Sequence, residues 1–261
     1  MNLALYIAQK MRQHKQHKNT VSSRIINIAT IAVAVGIAAI LIAMAFSRGL
    51  QNEIRNKTSV FNGQILIAPF ENNESQVSLT SFKNSKEVQQ QIQKHSEFNR
   101  MHPVAIKAGM LKANDDFEGV LLKVVGSEFE WCSLDVFKTK GKYPNFKSEL
   151  NNEIFVSEII ANRLNLTLGD TVDAFFKSAQ REGFPRRRKF KITGLYFSGF
   201  PDIDENLVFA DIRHVQSLNR WESEQIGGYE VFVNSFSRVS EIADELYLSL
   251  PSELNLSLIH I

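Results

Sequence analysis

The residues best suited to recognition chemistry in this 261-residue chain are cations in one short stretch. Lys177 to Lys189 reads KSAQREGFPRRRK and holds Arg181, Arg186, Arg187, Arg188 and Lys189 around an apolar Phe184-Pro185. Guanidinium groups pair bidentately with carboxylates, and an exposed aromatic ring supplies a contact that slows dissociation. A basic rim around such a ring suits the docking of an acidic partner, with charge steering the encounter. The plain alternative is a solvated hairpin loop, which charge runs commonly are.

Other candidate chemistry is weaker. Asp202, Asp204 and Asn206 open like a calcium loop, but Leu207 stands where glycine is required and Arg213 where the closing glutamate belongs. The triplet reads as an acidic turn. His14 and His17 lie between lysines whose charge repels a cation, and His95, His102 and His214 read as isolated surface or core histidines. The sequence has no phosphate loop of the G-x-x-x-x-G-K-[ST] kind, no H-E-x-x-H and no G-x-S-x-G elbow. The reading is therefore of no enzyme, no cofactor and no metal, with any ATP hydrolysis left to another subunit.

The elements that position the basic stretch begin with a membrane segment. Lys10, Arg12, Lys15, Lys18 and Arg24 precede the first acid, Glu53. Removing those five from the 30 bases leaves 25 against 28 acids, so a basic head precedes a mildly acidic body. The head is short and no nucleic-acid reader follows it. The single cysteine, Cys132, excludes an internal disulfide. Ile25 to Phe46 carries no charge over 22 residues, about 33 Å of helix and enough to cross a hydrocarbon core. Ala43-Met44-Ala45 resembles a signal cleavage site, but a signal's apolar region is shorter. Bases before the span place residues 1–24, a basic amphipathic segment, in the cytoplasm and everything after Arg48 outside. Residues 25–47 are the transmembrane helix. Ala32, Gly36 and Ala39 offer a small-residue face to a second helix. Phe46, Leu50 and Ile54 continue an apolar stripe into a stalk, residues 48–61, whose helix is expected to end near Thr58.

The core domain, residues 62–261, alternates strands and helices. Strands are expected at Gly63–Pro69, Pro103–Met110, Gly119–Val125, Ile154–Val156, Leu207–Ala210 and Tyr229–Val233. Helices are expected at Ser85–Phe98, at Glu158–Leu164 capped by Ser157, from Asp211 to Leu218, and at Glu241–Leu250. Thr171–Phe176 and Phe190–Phe197 read as a strand pair joined by the thirteen-residue basic connector.

This order of elements resembles the MacB/FtsX-like permeases of ABC transporters, and within them the lipoprotein-releasing LolC/LolE type. The residues that carry the likeness are the stalk Gly49-Leu50-Gln51 with Ile54, Lys57, Phe61, Gly63 and Ile65; Val156-Ser-Glu-Ile-Ile-Ala161; Leu168-Gly-Asp170; Ile192-Thr-Gly-Leu195; Asn206-Leu-Val-Phe209; and Gly228 to Val233. The resemblance implies an α+β, two-lobed MacB-like periplasmic domain with an inserted lobe at about 140–227. It implies an inner-membrane permease, multi-pass in full, with a cytoplasmic ABC ATPase, a second permease protomer, membrane lipid and no nucleic acid as partners. For the LolC branch it implies lipoprotein cargo and a periplasmic lipoprotein carrier received by the connector. The chain reaches Ile261 without a second apolar span and is read as an N-terminal fragment, and Leu256 to Ile261 resembles translated sequencing adapter. Two alternatives stay open: a MacB/FtsX-like permease for another cargo, and a single-span anchored binding or sensor protein.

Overall fold

A computed structural model describes residues 3, 6–7, 10, 21–73, 75–147, 149–177 and 185–258. Most of the basic head, with His14 and His17, lies outside the described residues, as does Phe184. Met1–Ile54 and Arg55–Ile261 form separate compact units. The long helix α1 (Val21–Asn62) contributes to both. In the first unit its apolar stretch satisfies its own polar groups: the Thr30 hydroxyl donates to the Ile26 carbonyl at 2.8 Å, as a helix in lipid requires. The helix is long and apolar enough to cross a membrane. It runs four residues beyond the expected end at Thr58, because Phe61 is an apolar anchor with a buried seat to fill.

The second unit continues with β1 (Ile65–Pro69), α2 (Phe70–Asn73), β2 (Phe82–Lys83), α3 (Lys86–Gln93), β3 (Phe98–Ala113) and β4 (Asp116–Val125). Then come β5 (Lys138–Gly141), β6 (Glu153–Ser157), α4 (Glu158–Arg163), β7 (Thr171–Phe176), β8 (Arg186–Tyr196) and α5 (Pro201–Asp204). The chain ends through β9 (Leu207–Asp211), α6 (Ile212–Asn219), β10 (Gln225–Ile226), β11 (Gly228–Val233), α7 (Val239–Ser249) and β12 (Leu254–Leu258). The class is mixed α+β, as expected. Ser157 and Asp211 cap as expected, accepting from the Ile160 and Arg213 amides, and the structure adds a cap at Ser85, which accepts from the Val88 amide.

Ten strands join one sheet in the order β12-β1-β11-β3-β4-β9-β6-β8-β5, with β7 pairing both β3 and β8. That double pairing bends β3, β4, β9, β6, β8 and β7 into a closed ring. Alternation then sorts the side chains. Leu111, Val120, Leu122, Val156, Ala174, Phe176, Phe190 and Val208 fill the ring, with Ile160 of α4 and Val215 of α6 packed against them. Gly109 allows this filling, since a methyl group there would lie 2.4 Å from the Phe176 ring. Outside the ring sits an aromatic cluster of Phe61, Phe129, Phe137, Phe155, Tyr196 and Phe209. Residues from both ends of the unit, including Ile65, Ile92, Val231 and Ile242, pack a further core beneath α3 and α7.

Candidate functional site

Two places on the second unit gather charged and aromatic groups into candidate sites: the root of α1 and the β7–β8 hairpin. At the root, Phe61 is fully buried, 4.9 Å from Phe137, 5.5 Å from Tyr196 and 6.3 Å from Phe209 between ring centroids. Gly63 has φ +75, a left-handed conformation suited to glycine after a helix. Its amide donates back to the Ser59 carbonyl at 2.8 Å. The Gln64 amide then donates to Val231 at 3.1 Å, and the Val233 amide donates to the Gln64 Oε1 at 2.6 Å. Only Gly63 and Gln64 separate the end of α1 from β1.

Directly behind this turn lies a buried charge cluster. Lys123 of β4, Glu230 of β11 and His102 of β3 are 0%, 3% and 4% exposed. The Lys123 ammonium donates to both oxygens of Glu230, at 2.5 and 2.7 Å, and to the Phe61 carbonyl. His102 Nε2 lies 2.9 Å from Glu230 Oε2, and its ring stands edge-on to Phe129 at 4.7 Å. Desolvation holds the Lys123 ammonium below the ordinary lysine range, although Glu230 opposes that shift. Burial also works against the Glu230 charge, but Lys123 and His102 more than reverse it and keep the carboxyl below its usual range.

The sequence reading set His102 aside as isolated; the sheet instead brings it opposite Glu230 in register. Lys123 lies inside the expected strand Gly119–Val125. The available signal was a lone charge inside each of two otherwise apolar runs, Gly119–Val125 and Gly228–Val233. Such a charge is paired when it is buried.

At the hairpin, β7 and β8 stay paired as far as Phe176 and Arg186. The connector is therefore Lys177–Pro185, and Arg186, Arg187 and Arg188 belong to the strand rather than to a loop. The longer pairing has a physical reason in their alternation. Arg186 and Arg188 turn toward α6, where Arg186 donates to the Ser217 carbonyl at 3.2 Å and Arg188 to the Ser217 hydroxyl at 3.2 Å. Lys107 joins them through Asn219 at 2.5 Å, and these cations suit the negative end of the α6 dipole. Burial lowers the Lys107 pKa, helped by Arg186. Arg187 faces outward in a two-point pair with Asp173 at 2.9 and 2.6 Å, which lowers the Asp173 pKa through the hydrogen bond. All three arginines thus have partners within the chain. Lys177 and Pro185, the two ends of the connector, are exposed.

The remaining sequence-predicted residues fall elsewhere. Ala32, Gly36 and Ala39 are exposed on α1, and a methyl group added at Gly36 would meet nothing within 4 Å. Phe46 and Leu50 are exposed and Ile54 is half-buried. Asp204 of the calcium-like triplet is buried, and its carboxylate accepts from the Ser198 and Gly199 amides at 2.8 and 2.9 Å. His95 Nε2 lies 2.9 Å from Glu245, and buried His214 Nε2 lies 2.8 Å from the Asn151 carbonyl.

Comparison with known proteins gives a match over residues 28–247 to the family described as MacB-like periplasmic core domain. No curated protein matches. Among solved structures, the periplasmic region of MacB from Actinobacillus actinomycetemcomitans is 14% identical. The match covers 75% of this chain and 88% of that one, with a TM-score of 0.47. The extracellular domain of the noncanonic ABC-type transporter YknZ from Gram-positive bacteria is 11% identical, with 75% and 99% covered and a TM-score of 0.45. A domain of a putative permease protein from Porphyromonas gingivalis is 16% identical, with 76% and 91% covered and a TM-score of 0.37.

Proposed function

Since this chain belongs to the family of MacB-like periplasmic core domains, we propose that it is a permease subunit of an ABC transporter that releases lipoproteins from the inner membrane. A separate cytoplasmic ATPase supplies the energy, a second permease protomer completes the membrane part, and a periplasmic carrier receives the lipoprotein at the β7–β8 connector. The observation that carries the permease reading is the joining, in one helix of 42 residues, of an apolar stretch long enough to span a membrane and a root held in the domain. The reading requires this helix to pass movement of its membrane stretch to the domain. Ala32, Gly36 and Ala39 are the face proposed for the second protomer's helices, where small residues permit close approach. Phe46, Leu50 and Ile54 are proposed to face the lipid-borne cargo.

A MacB/FtsX-like permease for another cargo is the second reading. The arginine pairings favour it, because a hairpin whose Arg186, Arg187 and Arg188 are bonded within the chain has fewer free donors for an acidic carrier. The two part in an assay with full-length transporter in proteoliposomes loaded with a lipoprotein. ATP-dependent transfer of lipoprotein to a soluble carrier, weakened by Phe184→Ala, supports the first reading. Transfer that is absent with an intact ATPase cycle supports the second.

A further inference from the structure

We propose that Lys123, Glu230 and His102 are a force-transmitting lock, which fixes the rotation and axial position of the end of α1 against the three strands that supply them. The strands β11, β3 and β4 are neighbours at the middle of the sheet, and each gives one member. Lys123 adds the contact that matters mechanically. Its ammonium holds the Phe61 carbonyl, one of the helix-terminal acceptors that lack a partner within a helix.

The apolar seat of Phe61 does not by itself give this positional control. Apolar burial is non-directional, and ring pairs accept several offset and edge-on arrangements over a range of centroid distances, so ring packing specifies rotation and axial position less sharply. A carbonyl aimed at a buried ammonium does not, because a slip separates a charge from its partners in a site with no water to replace them. Buried ion clusters are weak sources of stability, and their best attested role is to fix one register among several. The short connection reinforces that role: two residues lead from the helix to β1, and both are tied by backbone hydrogen bonds. A displacement of the helix end therefore moves β1 and β11 with it.

Force transmission through the lock rests on the permease reading above; the lock itself does not. Amide exchange followed by mass spectrometry on the detergent-purified full chain tests the lock. The variants are a triple change to apolar residues, Lys123→Met with Glu230→Leu and His102→Leu, and the milder Glu230→Gln. In both, amides of residues 59–64 exchange about tenfold faster while those of β3, β4 and β11 keep their protection. Wild-type exchange at 59–64 in the folded triple variant overturns the lock, since Phe61 packing would then suffice. Equal loosening of the strands and the helix end, or failure of both variants to fold, overturns it as well, since the cluster would then hold the sheet itself. In the complete transporter, variants with a loosened root keep wild-type ATP turnover and release about tenfold less cargo per ATP. Undiminished release per ATP refutes the force-transmitting role. A wild-type transporter with no ATP-driven release refutes the permease reading and leaves the exchange result to judge the lock alone.

Discussion

Replacing Phe61 with alanine tests whether the end of α1 is seated in the domain. The side chain is fully buried and its ring is within 6.3 Å of three other aromatic centroids. Truncating a buried phenylalanine costs about 3–5 kcal/mol, from lost transfer energy together with the cavity left behind. The surrounding Phe137, Tyr196 and Phe209 belong to separate strands or loops of one packed cluster, so collapse around the gap is limited and the upper half of that range is expected. For a folded unit of this size, each kcal/mol moves the melting temperature by roughly 2–4 °C, so a fall of roughly 8–20 °C follows. Phe61→Leu leaves a smaller cavity and costs less than Phe61→Ala. Thermal unfolding followed by near-ultraviolet circular dichroism measures both. A drop below roughly 3 °C for Phe61→Ala would show that the helix end is not inserted among these rings, and would remove the basis for force passing through it.

Three further outcomes are expected. Gly63→Ala places a side chain at φ +75 with its Cβ 3.0 Å from that of Glu230; a loss of about 1–2 kcal/mol in denaturant unfolding follows from the left-handed backbone, and an unchanged midpoint would contradict the turn described. Burial lowers the His214 pKa from 6.5 despite the bond to the Asn151 carbonyl. The unfolded chain therefore binds this proton more readily, and the His214 contribution to stability is complete above about pH 6.5 and declines as pH falls below it; the slope of unfolding free energy between pH 7.5 and 5.5 should flatten in His214→Gln. Alkaline phosphatase fused after Gly63 should be active, given five bases and no acid before the apolar stretch, and an inactive fusion with an active cytoplasmic reporter at the same point would reverse the orientation.

Much of the framework was legible because local patterns and tertiary demands agree. The uncharged run from Ile25 to Phe46 admits a helix and little else. Ser157 and Asp211 announced their helices because a side-chain oxygen before an apolar-periodic run has one common use. Thr171–Phe176 alternates and lies in the structure as read. Closure of the ring was not legible. It depends on β7 finding β3 across roughly sixty intervening residues, and no local residue type encodes a long-range pairing. The short strands β2, β5 and β10 escaped for a related reason: each is defined by its partner rather than by its own periodicity.

The basic run shows how the same residues change meaning once a register exists. As sequence, Arg186, Arg187, Arg188 and Lys189 are four cations in a row, and a loop is the natural place to solvate them. As a strand they alternate, and alternation sends Arg186 and Arg188 to the carboxyl end of α6 while Arg187 meets Asp173 outside. Lys123 and Glu230 make the converse point. Each is a single charge in an apolar strand, easily read past, and each becomes costly to bury until its partner is known. The cross-strand register supplies both partners in one step by setting Glu230 opposite His102 and bringing Lys123 to them. Charge count therefore overstates the hairpin and understates the helix root. Burial reverses that ranking, since an exposed pair such as Arg187 with Asp173 is screened by water whereas the Lys123 cluster is not.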